Sequence, residues 1–173
     1  MHVTVRVVRG LPSLRTRRAR EVLMGAFRSG CQRFGFRLVH FSVQSNHVHL
    51  IVESSGRTAL MRGMKGLLVR IARRLNRLWG RKGRVIDDRY HVHVLKSPRE
   101  VRHALCYVLH NARKHGVRLR DDVDPFFSGR WFDGWRDRRV NGTSPVAGAR
   151  SWLLSRGWRR SGLIGTGENP APT

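Results

Sequence analysis

The chain has 173 residues, with 35 Lys and Arg against 11 Asp and Glu and a formal net charge of +24 at pH 7. A charge of this size on a short chain excludes an ordinary metabolic enzyme balanced near neutrality and indicates a polyanionic partner. Only Lys65, Lys82, Lys96 and Lys114 are lysines, and the arginine fork matches phosphate oxygens through paired hydrogen bonds, so nucleic acid is the leading partner.

The remaining composition indicates one globular domain. Hydrophobic residues make up 40% of the chain, which suffices for a single packed core at this length. No stretch approaches the roughly 18 apolar residues of a membrane span, and the N-terminus lacks the apolar run of a signal peptide. Cys31 and Cys106 form no CxxC pattern, so we expect free buried thiols and a cytoplasmic location.

The first half of the chain predicts a strand, a helix and a hairpin. Residues 2–8 alternate between apolar and polar side chains, with valines on one face and His2, Thr4 and Arg6 on the other, as in a half-buried strand. Apolar residues at helical spacing follow from Leu14 to Gly30. Two strand-like runs, 36–43 and 47–52, flank a three-residue polar spacer, which predicts an antiparallel hairpin.

The second half predicts a helix over 60–78 with a basic outer side, a strand over 85–95 and a third helix. Ser97, Pro98 and Glu100 provide the N-cap, the first helical residue and the second partner of a capping box for the third helix. The order βαββαβα predicts an α+β, ferredoxin-like fold, with a split βαβ sheet of four antiparallel strands and two helices on one face.

Beyond residue 116 the pattern becomes irregular. We therefore predict a domain over 1–118 and a basic, aromatic-rich C-terminal segment over 119–164 that packs on it. The residues 165–173 are expected to form a disordered tail.

Two histidines mark the predicted strand 47–52. Alternation places His47 and His49 on the face opposite Val48, within reach of one metal ion. The alternative is two exposed histidines on a basic surface, because a metal site needs at least a third ligand. His91 and His93 have the same spacing on another strand, and spacing does not choose between the two pairs.

A tyrosine and an asparagine mark the third helix. Tyr107 lies off the apolar stripe of this helix, and Asn111 follows four residues later on the same flank. A hydroxyl nucleophile and an amide oxygen on one flank would complete a two-histidine metal site. The alternative is a tyrosine at the edge of the core that is hydrogen-bonded to solvent.

Together these residues resemble a known family. Residues 46–50, with the sequence Asn-His-Val-His-Leu, and a later helix bearing Tyr107 and Asn111 are similar to the HUH single-tyrosine transposases of the IS200-like group, and most similar to their REP-associated branch. Residues 3–15, 100–114 and 129–135 also look like that group. The resemblance implies an HUH-endonuclease type of domain over 1–118.

The resemblance further implies a DNA transposase of the bacterial nucleoid that cleaves and rejoins single-stranded hairpin DNA. Tyr107 would be the nucleophile and form a 5′-phosphotyrosine intermediate, and His47, His49 and Asn111 would ligate Mg²⁺ or Mn²⁺. The group often has Gln where Asn111 stands, and many REP-associated members have Pro where this chain has Ala112. The group includes monomers and homodimers, and we favour a monomer.

The arginines supply candidate contacts to DNA phosphates. The predicted DNA-binding residues are Arg6, Arg15, Arg70, Arg74, Arg81, Arg84, Arg89, Arg113 and Lys114.

Three other functions compete with a transposase. A non-catalytic RRM-like module would stack bases on aromatic residues of an open sheet face, and none is predicted on the face of His47 and His49. A domesticated transposase would bind DNA without cutting it, but both histidines and the tyrosine are retained. A metal-dependent hydrolase needs a carboxylate near the histidines, and Glu53 lies about 13 Å along the strand from His49.

Overall fold

The computed structural model describes residues 1–114, 124–140 and 142–168, with the side chains of 112–114 outside the description. None of the described helices is long and apolar enough to cross a membrane. The elements in chain order are β1 (His2–Arg6), α1 (Arg17–Gly30), β2 (Gln32–Arg33), β3 (Phe36–Val43), β4 (His47–Ser54), α2 (Arg57–Leu78), β5 (His91–His93), α3 (Pro98–Lys114) and α4 (Trp152–Ser155), with short 3-10 helices at Ser128–Trp131 and Gly157–Ser161.

The sheet has five antiparallel strands in the order β2-β3-β4-β1-β5. This arrangement confirms the predicted α+β, ferredoxin-like fold. The additional strand is the two-residue β2, which joins β3 through a turn at Phe34 and Gly35, both with positive φ (51° and 78°). β1 and β4 are inner strands, so side chains on them lie at the middle of the sheet.

The two faces of the sheet bury different sets of residues. Val3, Val5, Val48, Leu50 and Val52 pack with α1 and α2, as the alternation predicts. The opposite face carries the predicted histidines and is covered in part. Fully buried Ile51 belongs to a second core cluster with α3 and the C-terminal segment. The face that carries His47 and His49 is therefore partly covered by α3.

One predicted strand is shorter in the structure, and one helix cap differs from the predicted capping box. The strand predicted over 85–95 is formed only by β5, while Ile86 makes an isolated bridge to Val7. α3 begins as predicted, because the Ser97 hydroxyl accepts the Glu100 amide at 3.2 Å. The Glu100 carboxylate accepts the Lys96 amide at 2.8 Å instead of the Ser97 amide that completes a capping box.

The C-terminal segment packs on α3 through the aromatic residues Phe132, Trp135 and Trp158. The predicted boundary at 118/119 lies outside the described residues. Residues 165–168 were expected to belong to a disordered tail, but Glu168 pairs with Arg102 of α3 at 2.7 Å. The rest of that tail, 169–173, is outside the description. Of the two cysteines, both free, Cys106 is buried and Cys31 is half-buried.

Candidate active site

His47 and His49 face each other at the start of β4. Their Nε2 atoms are 3.1 Å apart, with His49 buried and His47 half-buried. The Nδ1 of His47 donates to the side-chain amide oxygen Oδ1 of Asn46 at 2.8 Å. The Nδ1 of His49 lies 3.1 Å from Nε2 of His2 and 3.2 Å from the Thr4 hydroxyl. Polar neighbours of this kind fix the orientation and tautomer of histidines that bind metals.

The contribution of His2 and Thr4 was not predicted. Both lie on β1 beside β4, where Thr4 is the cross-strand partner of His49. Burial, followed by the nearby His93, the N-terminus and His91, lowers the pKa of His2 to about 4, so His2 is neutral at physiological pH. The signal for this role was the alternation of β1, which places both residues on the face of the histidine pair.

The tyrosine predicted as the nucleophile lies against these histidines. The Tyr107 ring approaches His49 edge-on, with ring centroids 5.2 Å apart, and its centroid is 5.7 Å from that of His2. Asn111 follows one helical turn later and is completely buried. Neither polar atom of its amide has a hydrogen-bond partner among the described residues. The structure thus brings His47, His49 and Tyr107 together, with Asn111 on the same flank of α3.

The donor set fits a divalent cation. Two metal–nitrogen bonds of about 2.1 Å meeting at roughly a right angle span the separation of the two Nε2 atoms. The described residues contain no group of three or more His, Cys, Asp or Glu that could hold a metal ion, so a third protein ligand would be an amide or hydroxyl oxygen. The buried amide of Asn111 is such a group. Two imidazole nitrogens and one amide oxygen would leave positions open for phosphate and water, unlike the four protein ligands of a closed structural zinc site.

A cleft of about 510 Å³ adjoins the site. β5 lies beside β1 with His91 opposite Thr4 and His93 opposite His2, so the second histidine pair reaches the same cleft. The lining residues are His2, Thr4, His49, His91, His93, Leu95, Glu100, His103, Ala104 and Tyr107.

Glu53, the carboxylate considered for a hydrolase, serves the C-terminal segment. It accepts hydrogen bonds from the Arg150 and Ser151 amides at 2.9 and 2.8 Å and from the Ser151 hydroxyl at 2.6 Å. It is not among the residues that line the cleft. Glu53 is therefore not placed to serve as the carboxylate that a metal-dependent hydrolase would need near the histidines.

Three of the predicted DNA-binding arginines, Arg6, Arg84 and Arg89, are exposed. Arg15 differs, because its guanidinium makes two hydrogen bonds to the fully buried carboxylate of Asp124, at 2.9 and 3.0 Å. This ion pair gives Arg15 an internal role that the sequence did not indicate.

The remaining described candidates are half-buried and hydrogen-bonded within the protein. Arg70 donates to the Gly66 carbonyl, and Arg74 donates to the Ser29 hydroxyl. Arg81, after α2, donates to Asn76. The side chains of Arg113 and Lys114 lie outside the described residues.

A histidine pair on an inner strand of a ferredoxin-like sheet, facing a helix tyrosine, is the arrangement that the resemblance to single-tyrosine transposases predicts. Residues 2–108 match the family model "Transposase IS200 like", and the chain belongs to this family of transposases, which act on DNA. The family expected from the sequence is thereby confirmed.

A solved structure supports the fold over most of the chain. It is that of a REP-associated tyrosine transposase bound to a REP hairpin, with a TM-score of 0.62 and 18% sequence identity, covering 87% of this chain and 92% of that one. None of the curated proteins compared with the chain matches it.

Proposed function

We propose that this transposase cleaves and rejoins single-stranded DNA at hairpins through a 5′-phosphotyrosine on Tyr107. The observation that carries the proposal is the contact of the Tyr107 ring with His49, whose Nε2 lies 3.1 Å from that of His47. His47, His49 and Asn111 would hold Mg²⁺ or Mn²⁺, which polarises the scissile phosphate when bound.

The reaction exchanges one phosphodiester bond for another. The phenol oxygen of Tyr107 forms a bond to phosphorus, the bond from phosphorus to the 3′-oxygen breaks, and the phenolic proton ends on that 3′-oxygen. A second 3′-hydroxyl then attacks the phosphotyrosine and returns the proton to Tyr107. Because the number of ester bonds is conserved, strands are rejoined without ATP.

The protein supplies support around this step. α3 carries Tyr107 over the inner strands, and the Asn46, His2 and Thr4 contacts orient the histidines before substrate arrives. Since Tyr107 and His49 of one chain already meet, the site requires no second copy, and we propose a monomer as the working unit.

The net charge and the similar solved structure both support a hairpin DNA substrate. The net charge of +24 favours a phosphate backbone, and the similar solved structure is bound to a REP hairpin. Exposed Arg6, Arg84 and Arg89 are the leading backbone contacts, and Arg113 and Lys114 remain candidates from sequence. Because α3 covers part of this sheet face, the face is not open for base stacking as it is in an RRM-like module.

The test is adduct formation on a labelled hairpin with a single-stranded flank, in Mn²⁺, resolved on a denaturing gel. The wild-type protein should give a covalent protein–DNA band that Tyr107→Phe abolishes. Tyr90→Phe is the matched control, because the chain has only these two tyrosines, and it should keep the band.

Two outcomes contradict the proposal. A band that survives Tyr107→Phe would place the nucleophile elsewhere. Tight gel-shift binding by wild-type protein with no covalent band in Mn²⁺ or Mg²⁺ would instead indicate a non-catalytic or domesticated DNA-binding protein.

A further inference from the structure

The proposed reaction leaves His91 and His93 without a role. They are the two ends of β5, and the strand register sets them opposite Thr4 and His2. Both are exposed, whereas His49 is buried. The imidazoles of β5 therefore continue the row of histidines from the pair on β4, across β1, to solvent.

The same cleft is closed on its other side by α3. His103 lies one helical turn before Tyr107, is exposed, and lines the cleft together with His91 and His93. The volume of about 510 Å³ falls within the range of ligand sites in proteins. A DNA strand whose scissile phosphate meets Tyr107 has room for a neighbouring nucleotide along these histidines.

The chemistry of the cleft favours an anion over a second metal. No group of three or more His, Cys, Asp or Glu among the described residues could hold a metal ion. Glu100 is the one carboxylate among the lining residues, and it already accepts the Lys96 amide at 2.8 Å. Imidazole N–H groups are donors for a phosphate oxygen, and three histidines outnumber this single carboxylate in the cleft.

We infer that His91, His93 and His103 form a phosphate-binding site that seats the DNA backbone phosphate adjacent to the one attacked by Tyr107. The site positions the strand and takes no part in bond making. The inference rests on the proposed function, because the neighbouring phosphate is defined by the cleavage position.

The first experiment compares the double variant His91→Ala/His93→Ala with wild-type protein. We expect kcat/KM for adduct formation to fall about 10-fold and hairpin affinity, measured by fluorescence anisotropy in EDTA, to fall severalfold. Mn²⁺ affinity should not change. The matched control is Arg62→Ala/Lys65→Ala, which removes two exposed basic groups from α2 on the opposite face of the sheet and should leave kcat/KM near wild type.

The second experiment identifies the contacted phosphate. A series of hairpins carries one neutral methylphosphonate each, at successive positions around the cleavage site. With the methylphosphonate at the adjacent phosphate, kcat/KM of the wild-type protein should fall by about the same factor as the double substitution lowers it on unmodified DNA. On that same modified hairpin, kcat/KM of the double variant should fall no further. At all other positions the defects of the variant and of the substitution should multiply.

The outcomes separate the two proposals. An undiminished kcat/KM and affinity of the double variant, or a defect that multiplies with every methylphosphonate, overturns the phosphate site. Reduced Mn²⁺ affinity in the double variant also overturns it, since the histidines would then serve the metal. If wild-type protein forms no adduct, the proposed reaction fails, and the anisotropy measurements on the same hairpin series still decide whether these histidines bind a phosphate.

Discussion

The Nε2 atoms of His47 and His49 converge to 3.1 Å, while the Nδ1 atom of each ring is held by a polar neighbour. Asn46 holds His47 from the turn, and Thr4 holds His49 from the adjacent strand. Two imidazoles held in this way would be preorganised for the proposed cation, because little side-chain freedom would remain to be lost on binding.

We therefore expect His47→Ala and His49→Ala each to weaken Mn²⁺ binding at least about 100-fold, and Thr4→Val to weaken it about 10-fold through the orientation of His49. Isothermal titration calorimetry or the electron paramagnetic resonance signal of free Mn²⁺ measures the affinity. His91→Ala is the control and should bind Mn²⁺ as wild type does. The opposite ranking, with His91 essential and His47 dispensable, would move the metal to the other histidine pair.

Asn111 provides a separate test, because its buried amide has no hydrogen-bond partner among the described residues. An unpaired buried amide costs about 1 to 3 kcal/mol. Asn111→Leu, similar in volume, should raise the free energy of unfolding of the metal-free protein by about 1 kcal/mol and weaken Mn²⁺ binding. In thermal unfolding, Asn111→Leu should therefore be more stable than the wild-type protein in EDTA and less stable than it in saturating Mn²⁺. A variant that is less stable in EDTA would show that Asn111 is satisfied within the protein.

Local patterns accounted for much of the fold and for the residues of the candidate site. Strand alternation placed His2, Thr4, His47 and His49 on one face, and the cap at Ser97 marked the start of the helix that carries Tyr107. These features depend on neighbours within a few residues, which is the range over which periodicity and capping are visible.

The second core cluster, between the sheet and α3, was not predicted. Burial of Ile51 under α3 depends on packing between distant segments, and one polar-face Ile among histidines gives no local signal of a second core. The hairpin of β2 and β3 was missed because its turn is Phe-Gly, without the Asn or Asp that marks such turns. The spacing of His91 and His93 also could not reveal that both share a cleft with Tyr107.

Arg15 illustrates the same limit and gives a prediction. Its partner Asp124 is fully buried, so removing the guanidinium leaves an uncompensated charge. We expect Arg15→Ala to lower the free energy of unfolding by about 3 kcal/mol. Exposed Arg89→Ala should leave stability unchanged and instead reduce hairpin affinity and its salt dependence. Urea unfolding and salt titrations of DNA binding distinguish the two variants. An Arg15→Ala protein with wild-type stability and weakened DNA binding would instead show that Arg15 contacts DNA.

His40 should make stability depend on pH. Burial lowers the pKa of His40 from 6.5 to about 4, while its Nδ1 lies 3.1 Å from the Ser128 hydroxyl. Between pH 6.5 and 4 the unfolded chain takes up a proton that the folded protein does not, so the free energy of unfolding falls as the pH falls through this window. His40→Gln should remove about 2 kcal/mol of that fall. Urea unfolding from pH 7.5 to 4.5 measures this fall, and an unchanged pH profile in the variant would contradict a His40 that stays neutral in the folded protein.

The C-terminal residues hold the helix that carries Tyr107. Arg102 donates to the Gly162 and Leu163 carbonyls at 2.9 and 3.1 Å and to both carboxylate oxygens of Glu168, and hydrogen bonding from Arg102 lowers the pKa of Glu168. One turn beyond Tyr107, Nε2 of His110 lies 3.0 Å from the Gly165 carbonyl oxygen. These contacts join residues 162–168 to the outer side of α3 and restrict movement of the tyrosine.

Arg102→Ala should therefore lower the single-turnover rate of adduct formation several-fold while leaving hairpin affinity unchanged, because only the position of Tyr107 is disturbed. Exposed Arg99→Ala on the same helix is the matched control and should retain the rate. Exchanging the charges, Arg102→Glu with Glu168→Arg, should recover part of it. A loss of hairpin affinity in Arg102→Ala with an unchanged rate would instead show that Arg102 contacts DNA. If the charge-exchanged variant recovers none of the rate and has lowered thermal stability, the defect is a general loss of packing.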